Sequence, residues 1–357
     1  FGSSHFGSRR SSMLARRGIA RRWWCLATRC DAYARPLRVD ARYMTRTLNE
    51  DMADWAARQR KSFGVTKADY PNPKTSMGAI AEHFPGALPG QIVDLVTHQV
   101  LQQQGFDKSN TLLAHSTCPD EINANNTSDD LVVLLRRRWS SAFPLGGLAG
   151  VPFVGKTGWG AFAAHVPEED GRIFLMFAPH VGVTATGQVG CVRRRGQGVD
   201  SATCGAAIGA MGVCNSNDSS KVVDEVYDSQ FAYIVSKLQE RKAEINAAPC
   251  QAAAVTHALY DVQVDFLRRI VKGNKCMRPI AVLGGIQINT CDEEPDLFQP
   301  LMFEIHEPKE GVGDASWRGP DESEGWHVMD LLSALTTNLP GRLGHEGFES
   351  LSWVDPM

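Results

Sequence analysis

The chain has 357 residues, 43% of them hydrophobic and 22% charged, a composition typical of a globular protein with one large domain or two small ones. Its formal net charge is −3, but residues 1–46 hold eleven arginines and two acids, so residues 47–357 carry 26 basic and 38 acidic side chains. This acidic body argues against a nucleic acid as partner, and no apolar run is long enough to cross a membrane.

Residues 1–45 are rich in arginine and serine and almost free of acidic side chains. This composition is typical of an organelle transit peptide, and the alternative is a disordered basic leader. Met13 is a candidate translation start, because the first residue is not methionine. We therefore expect residues 1–45 to precede the folded domain.

Downstream of the leader, apolar periodicity predicts helices and strands in alternation. Helices are expected over 49–64, 90–105, 127–139, 224–245 and 251–273, a helix start within 201–214, and strands over 110–117, 172–179, 278–290 and 296–306. The alternation predicts the α/β fold class, with a sheet that is at least partly parallel. The folded domain is expected within residues 46–310, and residues 311–357, rich in Gly, Pro, Asp and Glu, are expected to form a loosely ordered acidic tail.

The segment GVPFVGKT (150–157) matches the phosphate-loop pattern G-x-x-x-x-G-K-[ST]. A phosphate loop needs a buried strand before it and a helix after it, because the helix N-terminus meets the phosphates. The preceding residues include Pro144 and several glycines, and Gly158 and Gly160 lie where the helix would begin. We therefore expect a glycine-rich structural loop, and a P-loop nucleotide-binding protein is the remote alternative.

Two of the predicted strands run directly into residues that bind soft or borderline metals, Cys118 and His180. Sites in open α/β sheets gather at the carboxyl ends of strands, and Cys204 in a glycine-rich segment is a third candidate ligand. Spacings of 62 and 24 residues are too wide for a zinc finger, but they suit a catalytic zinc with three ligands from separate elements. Thiolate and imidazole favour zinc over magnesium or calcium. The alternative is that the cysteines pack as small hydrophobes and the histidine makes ordinary hydrogen bonds.

Several uncommon sequence words resemble, in the same order, the low-carbon-dioxide-inducible protein B (LCIB) family, whose active members are called theta-class carbonic anhydrases. They are CPDEIN (118–123), GVPFVGKTGWGAFAAHVPEEDGRIFLMFAPHVGV (150–183), SATCGAAIGA (201–210), GGIQINT (284–290) and PLMFEIH (300–306). The resemblance covers roughly residues 50–306. It implies a beta-carbonic-anhydrase-like, mostly parallel sheet flanked by helices, a homodimeric assembly, and a GKTG loop that binds no nucleotide.

The resemblance also implies a Cys/His/Cys zinc site. Matching motif to motif makes Cys118, His180 and Cys204 the Zn2+ ligands, with His165 as the second candidate for the imidazole. His165 and His115 are candidates for a proton shuttle.

Asp120 completes the C-x-D motif of the beta class, in which the aspartate pairs with an arginine and handles the zinc-bound water. The beta-class arginine would follow two residues later, where this chain has Ile122. Arg194 is the candidate partner, because the family tends to carry an arginine before that glycine, and Arg193 and Arg195 stay open.

The activity implied by the resemblance is zinc-dependent, reversible hydration of carbon dioxide to bicarbonate in inorganic carbon acquisition. The alternative is a catalytically inactive LCIB-like carbon-handling or scaffold protein. The family favours a chloroplast as destination, whereas the arginine-rich leader would also suit a mitochondrion. The expected partners are carbon dioxide, bicarbonate and a second copy of the chain.

Overall fold

A computed structural model of the chain describes residues 67, 70–123, 130–140, 142–194, 196–216, 223–272, 278–291, 294–308 and 326–336. The predicted leader over 1–45 and the helix predicted over 49–64 lie outside the described residues. The boundary predicted at residue 46 therefore stays a prediction.

Most of the strands form one eight-stranded sheet with the order β1-β9-β8-β4-β2-β3, in which β5 also pairs with β8 and β10 with β9. The two remaining strands, β6 and β7, form a separate antiparallel ribbon. The strands are β1 Leu88–Pro89, β2 Thr111–Thr117, β3 Ala142–Pro144, β4 Arg172–Ala178, β5 His180–Gly182, β6 Cys191–Arg193, β7 Asp200–Ala202, β8 Ile280–Asn289, β9 Leu297–Pro308 and β10 Trp326–Asp330.

The centre of the sheet is parallel. Strands β3, β2, β4 and β8 run in the same direction, as does β5 beside the second half of β8. Strand β9 is antiparallel to β8 and extends the sheet with antiparallel β1 and β10. Strands β4 and β8 are almost continuously apolar, because helices cover both faces of a parallel sheet.

Helices flank this sheet, so the predicted α/β class with a mostly parallel sheet is confirmed. No helix among the described residues is long and apolar enough to span a membrane. The helices are α1 Ser76–His83, α2 Gly90–Gln103, α3 Leu131–Trp139, α4 Gly155–Ala163, α5 Gly205–Asn215, α6 Ser229–Glu240, α7 Lys242–Ala247, α8 Gln251–Lys272 and α9 Leu332–Thr336, with 3-10 turns at Glu121–Asn123 and Leu148–Gly150.

The two faces of β4 show how the sheet is covered. Its residues Ile173, Leu175 and Phe177 pack into a core cluster that includes residues of α8, and the Phe177 and Tyr260 rings stack with centroids 5.5 Å apart. Phe174 points to the opposite face, where it meets Trp139 at the end of α3 with ring centroids 5.4 Å apart. Successive side chains of the strand point to opposite faces of the sheet, so β4 packs against helices on both faces.

Residues 326–336 differ from the loosely ordered tail predicted for 311–357. Strand β10 pairs with β9 from Trp326 opposite Pro308 to Asp330 opposite Glu304, and α9 follows it. Leu331 and Leu335 are fully buried. The prediction is wrong here because β9 offers an open edge that a short strand can pair with, and the apolar side chains after it bury against the sheet.

Candidate metal centre

Three elements converge beyond the carboxyl ends of the central strands. Cys118 directly follows β2, and His180 follows β4 after the single residue Pro179. These strands are neighbours in parallel register, with Thr117 opposite Ala178, so their ends meet. Cys204 arrives from a different direction, as the N-cap of α5.

The donor atoms of Cys118, His180 and Cys204 all lie within 4.8 Å of one another. The two sulfur atoms are 3.6 Å apart, close to the separation of about 3.8 Å that two zinc–sulfur bonds span at a tetrahedral angle. All three residues are buried, with relative exposures of 6%, 2% and 3%. The structure therefore brings together the three candidate ligands named from the sequence.

The state of His180 fits metal binding. Its Nδ1 is 2.9 Å from Asn289 Oδ1, and its buried Nε2 has no hydrogen-bond partner among the described residues. A buried polar atom without a partner is unfavourable, so a metal at this position would satisfy it. Two thiolates and one imidazole are a donor set that suits zinc.

Asp120 and Arg194 form a bidentate ion pair beside these donors. Arg194 Nη1 and Nη2 donate to the two Asp120 oxygens at 2.7 and 2.8 Å, and Arg194 Nε donates to Ser201 Oγ at 3.0 Å. Arg194 also contacts Glu121. Because Asp120 Oδ2 is 3.8 Å from His180 Nε2, the carboxylate borders the donor cluster directly.

The competing candidates lie elsewhere. Arg193 pairs with Asp200 through Nε at 2.7 Å, and Arg195 is outside the described residues. His165 is exposed, with its ring 6.1 Å from the Phe143 ring, and it does not belong to the donor cluster.

The charges of the site are set by its neighbours. Burial opposes ionisation of Asp120, but the hydrogen bonds from Arg194 and the nearby positive charges hold its pKa well below the usual range. The Cys204 pKa is lowered by the hydrogen bond with Cys118 and by N–H groups at the start of α5, whereas that hydrogen bond and burial raise the Cys118 pKa. Metal binding would therefore displace a proton held between the two sulfurs.

A cavity of about 130 Å³ adjoins the cluster, and its lining includes Cys118, Asp120, Val132 and Arg136. His115 also lines it, and burial together with the positive charge of Arg136 lowers the His115 pKa to about 4. A histidine with this pKa is a weak proton acceptor at neutral pH, which argues against His115 as shuttle.

The sequence model of the family of limiting CO2-inducible proteins B/C, beta carbonic anhydrases, matches residues 87–307. The chain belongs to this family. The chain is similar to PtLCIB4, a homolog of the limiting CO2-inducible protein LCIB whose crystal structure is known. The two sequences are 34% identical, the match covers 64% of this chain and 94% of PtLCIB4, and the TM-score is 0.58. A PtLCIB4 mutant is 33% identical, covers 66% of this chain and 95% of its own, and has a TM-score of 0.59. No curated protein sequence matches the chain.

In this member of the LCIB/C family, the start of the phosphate-loop pattern packs beside the candidate ligands: Val151 shares a core cluster with Cys118 and Cys204. Ser116 Oγ donates to Gly150 O at 2.7 Å and Gln263 Nε2 donates to Ala149 O at 2.8 Å, which anchors the loop beside Cys118. Loop carbonyls accept hydrogen bonds from the backbone N–H groups of Gly150, Val151, Phe153 and Gly155. These donors are therefore unavailable to a phosphate.

One expectation about this loop is wrong. A helix, α4, does begin at Gly155 in spite of Gly158 and Gly160. Trp159 and Phe162 are fully buried in the core, and this tertiary packing outweighs the low helix propensity of glycine.

Sequence reasoning missed Asn289 as the hydrogen-bond partner of His180. It ends strand β8, whose only other polar side chain is Gln287, and is completely buried. A buried amide at a strand end must find partners, and this rule could have singled it out.

Proposed function

We propose that the chain is a zinc-dependent carbonic anhydrase that interconverts carbon dioxide and bicarbonate. The observation that carries the proposal is the convergence of Cys118, His180 and Cys204 beside the Asp120–Arg194 pair, in a chain of the LCIB/C family. These groups supply a metal site and a charged carboxylate within reach of it, which are two requirements of metal-assisted hydration.

Zinc held by these three residues would lower the pKa of a coordinated water from about 15.7 towards 7, supplying hydroxide at neutral pH. Two negative sulfurs weaken this acidification relative to three neutral imidazoles. The guanidinium of Arg194, next to the cluster, offsets part of their charge.

Asp120 has the state needed to orient the nucleophile. Arg194 keeps it ionised, so its oxygens only accept hydrogen bonds. An Asp120 oxygen would accept a hydrogen bond from the attacking hydroxide and so orient its lone pair towards the carbon of carbon dioxide. Arg194 holds the carboxylate in one orientation through two parallel hydrogen bonds.

The adjoining cavity suits an apolar gas and an anionic product. Val132, Val133 and Pro119 give it apolar walls, and the exposed Arg136 lines it as well. Carbon dioxide meets the apolar walls, and bicarbonate leaving the site meets a positive charge.

The second candidate function is an inactive carbon-handling or scaffold protein that retains a structural metal. The deep burial of all three ligands favours it, because structural zinc sites are closed to substrate.

We also propose inorganic carbon acquisition as the setting, in a chloroplast in preference to a mitochondrion, with a homodimer as the working unit. The arginine-rich leader over 1–45 supports an organelle, and membership of a family of limiting CO2-inducible proteins supports a role in carbon acquisition.

Stopped-flow carbon dioxide hydration by the full chain tests the proposal, with Cys204→Ala and Asp120→Asn as comparison variants. Zinc-dependent hydration that disappears in Cys204→Ala, and falls in Asp120→Asn while zinc is retained, is the expected result. Zinc binding without hydration in the unaltered chain would favour the scaffold function. A folded chain that binds no zinc would overturn both.

A further inference from the structure

We infer that Asn289 and Asp296 are positioning residues that fix the tautomer of His180, so that its Nε2 is available to a metal. This inference rests on the proposed role of His180 as a ligand. Neither residue reaches the donor cluster: Asn289 acts through His180, and Asp296 acts through Asn289.

The first contact joins the imidazole to the amide. Asn289 is the last residue of β8, with no exposed surface, and its Oδ1 lies 2.9 Å from His180 Nδ1. An amide oxygen only accepts hydrogen bonds, so this contact requires the proton on Nδ1. The amide nitrogen in the same place would require a lone pair on Nδ1 and put the proton on Nε2.

The second contact decides which end of the amide faces the imidazole. Asn289 Nδ2 donates to Asp296 Oδ2 at 3.3 Å, and the backbone N–H of Thr290 donates to Asp296 Oδ1 at 2.9 Å. A carboxylate held in this way accepts from the amide nitrogen and has no hydrogen to offer the amide oxygen. Asp296 therefore points the oxygen of Asn289 at His180.

Contacts between the described residues on either side of 292–293 hold Asp296 beside Asn289. Thr290 Oγ1 donates towards the carbonyl oxygens of Glu294 and Pro295, at 2.8 and 3.1 Å. Asp296 immediately precedes β9. Hydrogen bonds from Asn289 and Thr290 thus hold the two Asp296 oxygens in place.

The consequence for metal binding is specific. With Nδ1 protonated, the Nε2 lone pair is free beside the two cysteine sulfurs. If the amide were reversed, the proton would sit on Nε2 and would have to be removed before a metal could bind. Partners of this kind typically change metal affinity by about 10- to 100-fold when they are removed.

Exchanging the two groups tests the inference. In Asp296→Asn, the new amide oxygen accepts from the Thr290 N–H, and the new NH2 group therefore faces Asn289. Two NH2 groups cannot hydrogen-bond to each other, so the Asn289 amide would turn over and present its NH2 group to His180. Asn289→Asp alone keeps an acceptor next to Nδ1 and therefore the tautomer, although it places two carboxylates face to face. In the double variant Asn289→Asp/Asp296→Asn, the carboxylate next to His180 accepts from both neighbours, and the required tautomer returns.

The measurement is the zinc Kd of the full chain, by competition with a chromophoric chelator. We expect Asp296→Asn to weaken zinc binding by about 10- to 100-fold, and the double variant to recover to within roughly threefold of the original chain. Unchanged affinity in Asp296→Asn would overturn the inference. A double variant that folds but binds no better than Asp296→Asn would overturn it as well.

A direct reading of the tautomer does not depend on the variants folding. Ring nitrogen-15 shifts of His180, recorded on the metal-free chain at alkaline pH where the imidazole is neutral, should show the proton on Nδ1. A proton on Nε2 would overturn the inference. Absence of hydration activity with the expected shifts and affinities would refute only the proposed function, so the two failures are distinguishable.

Discussion

At the scale of single residues, the chemistry of Asp120 depends on Arg194. The guanidinium matches both carboxylate oxygens, and Ser201 holds its third nitrogen. A lysine would supply the charge, but it cannot form two parallel hydrogen bonds or contact Ser201 at the same time. Both the charge and the planar geometry of Arg194 therefore contribute to the site.

We predict that Arg194→Lys lowers kcat/KM for carbon dioxide hydration by about 100-fold, because Asp120 loses its fixed orientation. Arg193→Gln is the matched control, since the adjacent arginine pairs with Asp200 and not with Asp120. Stopped-flow rates and zinc content of both variants provide the check. Equal losses in the two variants would contradict the assignment.

Asp130 gives a second prediction at this scale. It is completely buried and caps α3 by accepting from the Val133 N–H at 3.1 Å, and burial raises its pKa to about 7. The folded chain therefore binds this proton more tightly than the unfolded chain, whose aspartate pKa is about 3.9. Ionisation of Asp130 therefore lowers the free energy of unfolding as pH rises from about 4 to 7, by up to about 1.4 kcal/mol per pH unit.

We expect Asp130→Asn to remove this contribution while it keeps the cap, because asparagine is a good N-cap residue. Gln287 Nε2 donates to Asp130, and Gln287 Oε1 has no partner among the described residues, so a reversed glutamine amide can accept from the new side chain. Denaturant unfolding at several pH values between 5 and 8 measures the effect. Parallel stability curves for the variant and the original chain would contradict it.

At the scale of elements, the loop before α4 packs between the core and the backbone of the candidate ligand Cys118. Gly150 has a φ of +79°, and a Cβ there would lie 2.5 Å from Gln263 Nε2, 2.7 Å from Ala178 O and 3.3 Å from the Cys118 nitrogen. A side chain at this position therefore displaces backbone next to the candidate ligand Cys118.

We predict that Gly150→Ala destabilises the chain by at least about 2 kcal/mol more than Gly86→Ala and also weakens zinc binding. Gly86 is the matched control, because it has the same φ of +79° but nothing within 4 Å of a Cβ. The difference between the variants in chemical unfolding isolates the steric clash from the backbone strain. A similar loss of stability in both would show that the loop is not packed against the site.

The elements also show what a sequence can and cannot reveal. The strand predicted over 172–179 agrees with Arg172–Ala178, because a strand buried on both faces is apolar throughout. Helix α4 and strand β10 could not be predicted in this way, because burial of Trp159 and pairing with β9 stabilise segments of weak local preference.

Local sequence patterns also reveal some residues of the candidate site and not others. Cys118 and His180 could be found because each follows an apolar strand. The contact of Arg194 with Asp120 joins residues 74 apart in the chain, and no local pattern encodes it; only resemblance to a family suggested it. Asp296 was missed altogether, because its role appears only when the turn after β8 folds back over Asn289.

At the scale of the whole molecule, the candidate metal centre draws on parts of the fold that are far apart in sequence. One candidate ligand follows β2, one begins β5 and one caps α5, so a bound metal would join the sheet to the helix beside it. Binding to the folded chain alone stabilises it in proportion to the logarithm of the metal concentration over Kd.

We therefore predict that removing zinc with a chelator lowers Tm by several degrees, since a ligand present at 100 times its Kd contributes about 2.7 kcal/mol. Cys204→Ala should show no shift on chelation, because its site is already incomplete. Calorimetry of both chains with and without chelator measures this. An equal shift in the variant would locate the stabilising metal elsewhere.

A titration of zinc into the metal-free chain, with the carbon dioxide hydration rate measured at every addition, tests most directly whether the zinc is catalytic. If Cys118, His180 and Cys204 hold the catalytic metal, the rate rises linearly and stops rising at one zinc per chain. A chain that takes up one zinc without any rise in rate, or whose rate is independent of zinc, would contradict the account.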